Sequence, residues 1–166
     1  MDLNELQSIL TIGETVAVEF KRCGNGIEND TYETVCSFLN RFGGDLFLGI
    51  LDDGTVVGVP EKAATDMVKN FIKVISNPVL FSPTIYLVPE IIKYDGKRTI
   101  IHVHIPPSAE VHSYKKIIYD RVDDADVKVT STGTIAQMYI RKAEYFYRKE
   151  DLSICKNGRF EIRPVA

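Results

Sequence analysis

The stretch SFLNRFGGDLFLGILDDGTVVGV, residues 37–59, decides the fold. It opens as the last turns of a helix whose apolar stripe runs through Val35, Phe38, Leu39 and Phe42, and it breaks at Gly43-Gly44. The apolar run DLFLGI follows, turns at Asp52-Asp53-Gly54 and returns as TVVGV, the pattern of a hairpin. Gly43 reads as the residue that ends the helix in a positive-φ conformation, and Gly44 as a point where backbone or ligand comes close. A Walker-type phosphate cradle has no support, since neither G-x-x-x-x-G-K-[ST] nor G-x-G-x-x-G occurs.

Upstream, DLNELQSILTIG carries Leu3, Leu6, Ile9 and Leu10 at helical spacing and stops at Gly13. ETVAVEFKR alternates as a half-buried strand, and CGNGIEND is a loop. The next helix begins at NDTYE, where Asp30 or Thr31 can cap it and Glu33 completes a capping-box pattern. Downstream, EKAATDMVKNFIKVIS is an amphipathic helix ended by Asn77-Pro78. TIYLVPEIIKY and RTIIHVHIP form a hairpin across Asp-Gly-Lys, KIIYDRV is a short strand, and STGTIAQMYIRKAEYFYRKEDL is the final helix. Hairpins interspersed with helices predict an α+β fold, a mixed and largely antiparallel sheet with helices mainly on one side. The chain is read as one domain over residues 1–152, with 153–166 as a tail or a linker to a further part.

The composition is ordinary for a globular domain: 166 residues, 45% hydrophobic and 26% charged. The net charge of −3 gives no global basic footprint, so a polyanion would have to meet a local basic face. Cys23, Cys36 and Cys155 are odd in number and lack a C-x-x-C, which suggests neither a disulfide framework nor a zinc knuckle. No apolar run reaches the length of a membrane span and the N-terminus does not read as a signal peptide. A reduced cytoplasm is the expected location.

Among groups able to do chemistry, Glu14, Glu19 and Asp52 form one candidate set. An odd offset puts Glu14 and Glu19 on opposite faces of a perfect strand, so they converge only if Glu14 belongs to the preceding turn. Three such carboxylates could hold Mg²⁺ or Mn²⁺ and activate water. The commoner use of Asp52-Asp53 is turn chemistry, and of Glu19 a salt bridge on a solvated face. His102 and His104 share one strand face, read as a wet one. The candidate cations are Lys21 and Arg22 at the end of the first strand, Arg41 before the glycine pair, and Lys115, Lys116 and Arg121 around IIYD. Tyrosines interleave with them and with Arg141-Lys142 on the last helix, a mixture able to grip phosphates and stack bases.

Glu19-Phe20-Lys21, then Ser37 to Asn40 with Gly43-Gly44, then Gly49-Ile50 with Asp52-Asp53-Gly54, and Val57-Gly58-Val59 occur in order. This series resembles the Schlafen-type Alba-like domain family, as do HVHIPPSAEVHSY and IYDRVDDADVKV. The resemblance implies a nucleic-acid-binding domain of a bacterial transcriptional regulator, with a winged-helix part further on. Bacterial members also carry an AAA-like or ATP-binding label, against which the missing Walker motif argues. Animal members include RNA-cleaving enzymes that use two glutamates and an aspartate, which match Glu14, Glu19 and Asp52. The sequence departs from the family at Val111-His112, and at Asp124 and Ala125, where the family tends to carry Ser and Asn.

The leading expectation is therefore DNA or RNA binding through Lys21, Arg22, Arg41, Lys115, Lys116 and Arg121, with no cofactor required. The alternatives are a nuclease using Mg²⁺ or Mn²⁺ at Glu14, Glu19 and Asp52, and a non-catalytic module that pairs as a homodimer.

Overall fold

A computed structural model describes residues 1–155. Helix α1 (Leu3–Ile12) is capped by Asp2, whose carboxylate accepts the Asn4 and Glu5 amides, while Glu5 reaches back to the Asp2 amide at 2.9 Å. Strand β1 (Val18–Lys21) is shorter than the alternating run predicts. Glu14 thus lies in the approach to the strand, the one position from which it can converge with Glu19. Helix α2 (Asn29–Asn40) carries the chain across to β2 (Gly44–Leu48), which pairs in parallel with β1. The expected capping box of α2 is absent. Glu28 occupies the cap position without a side-chain bond, and Glu33 instead accepts the Tyr119 hydroxyl at 2.8 Å.

The glycine pair joins α2 to β2 by close packing. Gly43 has φ +77, and a Cβ there would lie 2.4 Å from the Ile105 carbonyl. A Cβ on Gly44 would lie 2.8 Å from the Ala17 carbonyl and 2.9 Å from the Phe38 ring. The expected hairpin across Asp52-Asp53-Gly54 is only partly formed. Ile50 and Val56 make an isolated bridge, and then Val57 and Gly58 both donate to the Gly49 carbonyl. Gly49 (φ +99) and Gly58 (φ +79) pass so closely that a regular ladder cannot continue, and Val59 crosses to bridge Thr99.

Helix α3 (Glu61–Ile75) leads to the two-residue β3 (Phe81–Ser82). The predicted Asp-Gly hairpin then appears as β4 (Glu90–Lys93) and β5 (Thr99–Ile105), with Ile92 opposite Ile100. The main sheet has the order β1-β2-β5-β4 and is antiparallel except for β1-β2. Two small antiparallel pairs complete the fold: β3 with β6 (Ser113–Tyr114), and β7 (Ile118–Val122) with β8 (Ala125–Val129). Helix α4 (Thr132–Cys155) ends the described chain, and its Met138 is buried. The α+β class thus stands. Of the expected tail, Ser153 to Cys155 lie on α4, and residues 156–166 lie outside the described residues.

Alternation sorts the sheet residues onto two faces. Leu46, Leu48, Ile101, Val103 and Ile105 pack with Phe38 and Leu39 of α2 and with Met67 and Phe71 of α3. Phe20, Phe47, Ile92 and Ile100 pack under Leu6 of α1. Helix α1 therefore covers the face opposite α2 and α3. His102 was expected on a wet face; it is buried, stacked on Phe47 at 4.7 Å, and donates to Asp45 at 2.8 Å. His104 is exposed and binds the same carboxylate oxygen. Among the described residues no helix is long and apolar enough to cross a membrane.

Candidate functional site

The three candidate acids come close enough to feel one another. Burial raises the Glu14 pKa above the carboxylate norm, and the Glu19 and Asp52 charges add to it, against a lowering hydrogen bond from the Phe20 amide. That amide meets Glu14 Oε1 at 2.9 Å. At the turn the two aspartates divide the work. Asp53 accepts the Thr55 amide, which is the turn chemistry, while Asp52 lines a cleft with Lys21, Arg22 and Asp30.

Glu19 is committed elsewhere. One carboxylate oxygen binds Lys21 Nζ at 2.7 Å and the other binds Arg121 at 2.6 Å. Arg121 was expected at the surface as a phosphate contact. Its side chain is fully buried, spans Glu19 and Asp126, and lies over the Phe38 ring at 5.0 Å. Asp126 also accepts the hydroxyls of Thr34 and Ser37. A charge withdrawn from water to this degree is tolerable only when paired and hydrogen-bonded, and it cannot serve an external ligand. The same pairs test the expected Mg²⁺ or Mn²⁺ site. With both Glu19 oxygens held by cations, Glu14, Glu19 and Asp52 do not fit an oxygen-ligand cage. Among the described residues no three His, Cys, Asp or Glu side chains are arranged to hold a metal ion.

The other candidate cations fall into two groups. Arg41 is held inward: its Nε donates to the Arg121 carbonyl at 2.7 Å and pairs with Asp120 at 3.1 Å. Lys21 pairs with Asp30 at 3.4 Å as well as with Glu19. Burial pulls its pKa down, but these two carboxylates outweigh the effect and the ammonium is held above its ordinary value. Arg22, Lys115 and Lys116 are exposed, and among the described residues none forms an ion pair with a carboxylate. Lys115 and Lys116 sit at the tip of a tight turn closed by Tyr114 and Ile117, with φ +49 and +66. The turn is pinned by the Lys115 amide on the Leu80 carbonyl at 2.7 Å, and by Asn29, which accepts from Lys115 Nζ at 2.8 Å and the Tyr114 hydroxyl at 2.9 Å.

Two features that pattern reading missed organise the interior behind this surface. Asn40 is buried; its amide donates to the His112 and Tyr119 carbonyls, each at 2.8 Å, and its oxygen accepts the His112 amide. It clamps α2 to the β6–β7 region, which gives the asparagine before the glycine pair a structural task. Asp120 is shared by Arg41 and Arg141, so α4 is fastened to β7 by charge. The signal that could have found Asp126 was the Asp123-Asp124 turn, which makes Arg121 and Asp126 register partners.

The matched family profile is described as Schlafen, AlbA_2 and covers residues 14–130. The chain belongs to the Schlafen, AlbA_2 family. This membership points to a function connected with nucleic acid, and the matched span takes in the candidate residues from Glu14 to Arg121. A comparison with curated proteins gives no match. Among solved structures, the DIP2311 protein from Corynebacterium diphtheriae is similar in fold, with a TM-score of 0.53 and 18% identity over 76% of this chain. The Schlafen, AlbA_2 chain described here spans 26% of the length of that protein.

Proposed function

We propose that this domain binds nucleic acid as part of a bacterial transcriptional regulator, and that Arg22, Lys115 and Lys116 make the phosphate contacts. The observation that supports this reading is the Lys115-Lys116 turn, which presents two adjacent exposed lysines with no acid paired to them among the described residues. Cations placed in this way can exchange counterions with a phosphate backbone, whereas Arg121 and Arg41 stabilise the fold. The reading needs no cofactor.

Hydrolysis at Glu14, Glu19 and Asp52 is the less favoured reading, because Glu19 would have to give up Lys21 or Arg121 to take part. Pairing of two copies without a ligand has no particular residue in its favour.

Fluorescence anisotropy with labelled DNA and RNA over a salt series tests the proposal. With three phosphate contacts, affinity falls roughly 40-fold between about 50 and about 200 mM salt. Failure to bind either polymer at low salt would overturn it.

A further inference from the structure

The lysine turn does not stand on a flat surface. It separates two adjoining hollows, both lined in part by Leu80. The first, of about 440 Å³, has Tyr32, Tyr114 and Met67 in its wall, with Asn29, Asn70 and Lys115 offering polar groups. The second, of about 520 Å³, is lined by Val79, Ile118, Ser82, Ser113 and Lys116. Among the described residues no carboxylate lines either one. The cleft at Lys21 and Arg22 differs, since Glu28, Asp30 and Asp52 surround its two cations. The turn is therefore the place where a base can sit beside its phosphate, and Arg22, at the rim of that cleft, is left as an outlying phosphate contact.

Resting on the nucleic-acid reading above, we propose that this face takes an unpaired strand and seats one base in each hollow, with the phosphate between them on Lys115 and Lys116. A duplex offers this surface the wrong chemistry. Its base faces are stacked away, and its regular phosphate rows call for a row of cations, whereas here the two are confined to one tip. An unpaired strand offers in alternation what the surface accepts in alternation: flat apolar rings and anionic links. The aromatic cluster of Phe71, Tyr32, Tyr114 and Phe81, with neighbouring rings 5.1–5.8 Å apart, gives the first hollow a firm wall.

The carboxamides supply base-edge contacts. The Asn29 oxygen is already used by Tyr114 and Lys115, which leaves its amide group as donor. Asn70 is exposed on α3 and keeps both donor and acceptor. A carboxamide with both can pair bidentately with a base edge. The consecutive left-handed residues of the turn direct one lysine to each hollow.

The test compares three probes of equal phosphate count at low salt: a single strand, the matching duplex and an abasic single strand. The single strand should bind at least ~10-fold more tightly than the other two, as expected where bases add to phosphate contacts. Asn70→Ala and Val79→Ser alter exposed side chains without changing charge and should weaken single-strand binding by ~10-fold or more while changing duplex binding far less. Equal affinity for the three probes would overturn the unpaired-strand assignment and leave nucleic-acid binding standing. Absence of binding to every probe would overturn both.

Discussion

Glu19 and Arg121, 102 residues apart, meet at 2.6 Å in the interior, with the Arg121 side chain fully buried. The E-F-K segment of β1 is thereby tied to the β7–β8 hairpin. Removing one partner of a buried pair strands a charge, which costs about 3 to 5 kcal/mol. Glu19→Ala should lower stability to unfolding in urea by about that amount, and Arg121→Met by a similar amount. The double variant should lose less than the sum, by about 0.5 to 3 kcal/mol. A Glu19→Ala protein as stable as the parent would show that Glu19 is not the structural link described here.

The glycine pair should resist substitution for steric reasons. A Cβ at Gly43 meets backbone, the Ile105 carbonyl at 2.4 Å, in a residue already at φ +77. Gly43→Ala should cost at least about 2 kcal/mol in chemical denaturation, because strain and clash add. Gly96→Ala is the control. No atom lies within 4 Å of its Cβ position, and the change should stay within about 0.5 kcal/mol. Equal behaviour of the two variants would contradict the packing account.

Lys142 gives the domain a pH dependence of a definite sign. It is buried, pairs with no carboxylate among the described residues, and donates to the Leu39 and Ser108 carbonyls, each at 2.7 Å. Burial pulls its pKa down to about 8; Arg141 adds to the shift and Asp120 opposes it. Between that value and the ordinary 10.5, the unfolded chain holds a proton that the folded chain has released. The contribution of Lys142 to stability therefore rises with pH across this window. The stability of the parent minus that of Lys142→Met should grow between about pH 8 and about pH 10, by as much as about 3 kcal/mol. Urea curves whose difference stays constant with pH would refute this.

The helices and the β4–β5 hairpin were legible because local signals agree there: apolar periodicity, stops at Gly13, Gly43 and Asn77-Pro78, and an Asp-Gly turn between alternating runs. The cap of α2 was misread because Glu33 is drawn away to Tyr119, a partner no local pattern shows. The second arm of the Asp52 hairpin failed because two glycine backbones cross at Gly49 and Gly58.

For the candidate site, residue type alone could not tell a surface arginine from an internal one. Arg121 and Arg22 look alike in sequence, yet one lies between Glu19 and Asp126 and the other in solvent. That distinction depends on β8, whose ADVKV run is too charged to stand out as a strand. Once Asp126 is placed opposite Arg121, the burial of the pair follows.

The central claim is that phosphate is met by the Lys115-Lys116 turn. The most direct measurement is the salt dependence of affinity for the parent and for Lys115→Gln/Lys116→Gln, using one labelled strand. Two lost phosphate contacts should weaken binding at low salt and flatten the log–log slope for a single strand by about 1.4. An unchanged slope, with binding retained, would place the contact elsewhere and contradict the account.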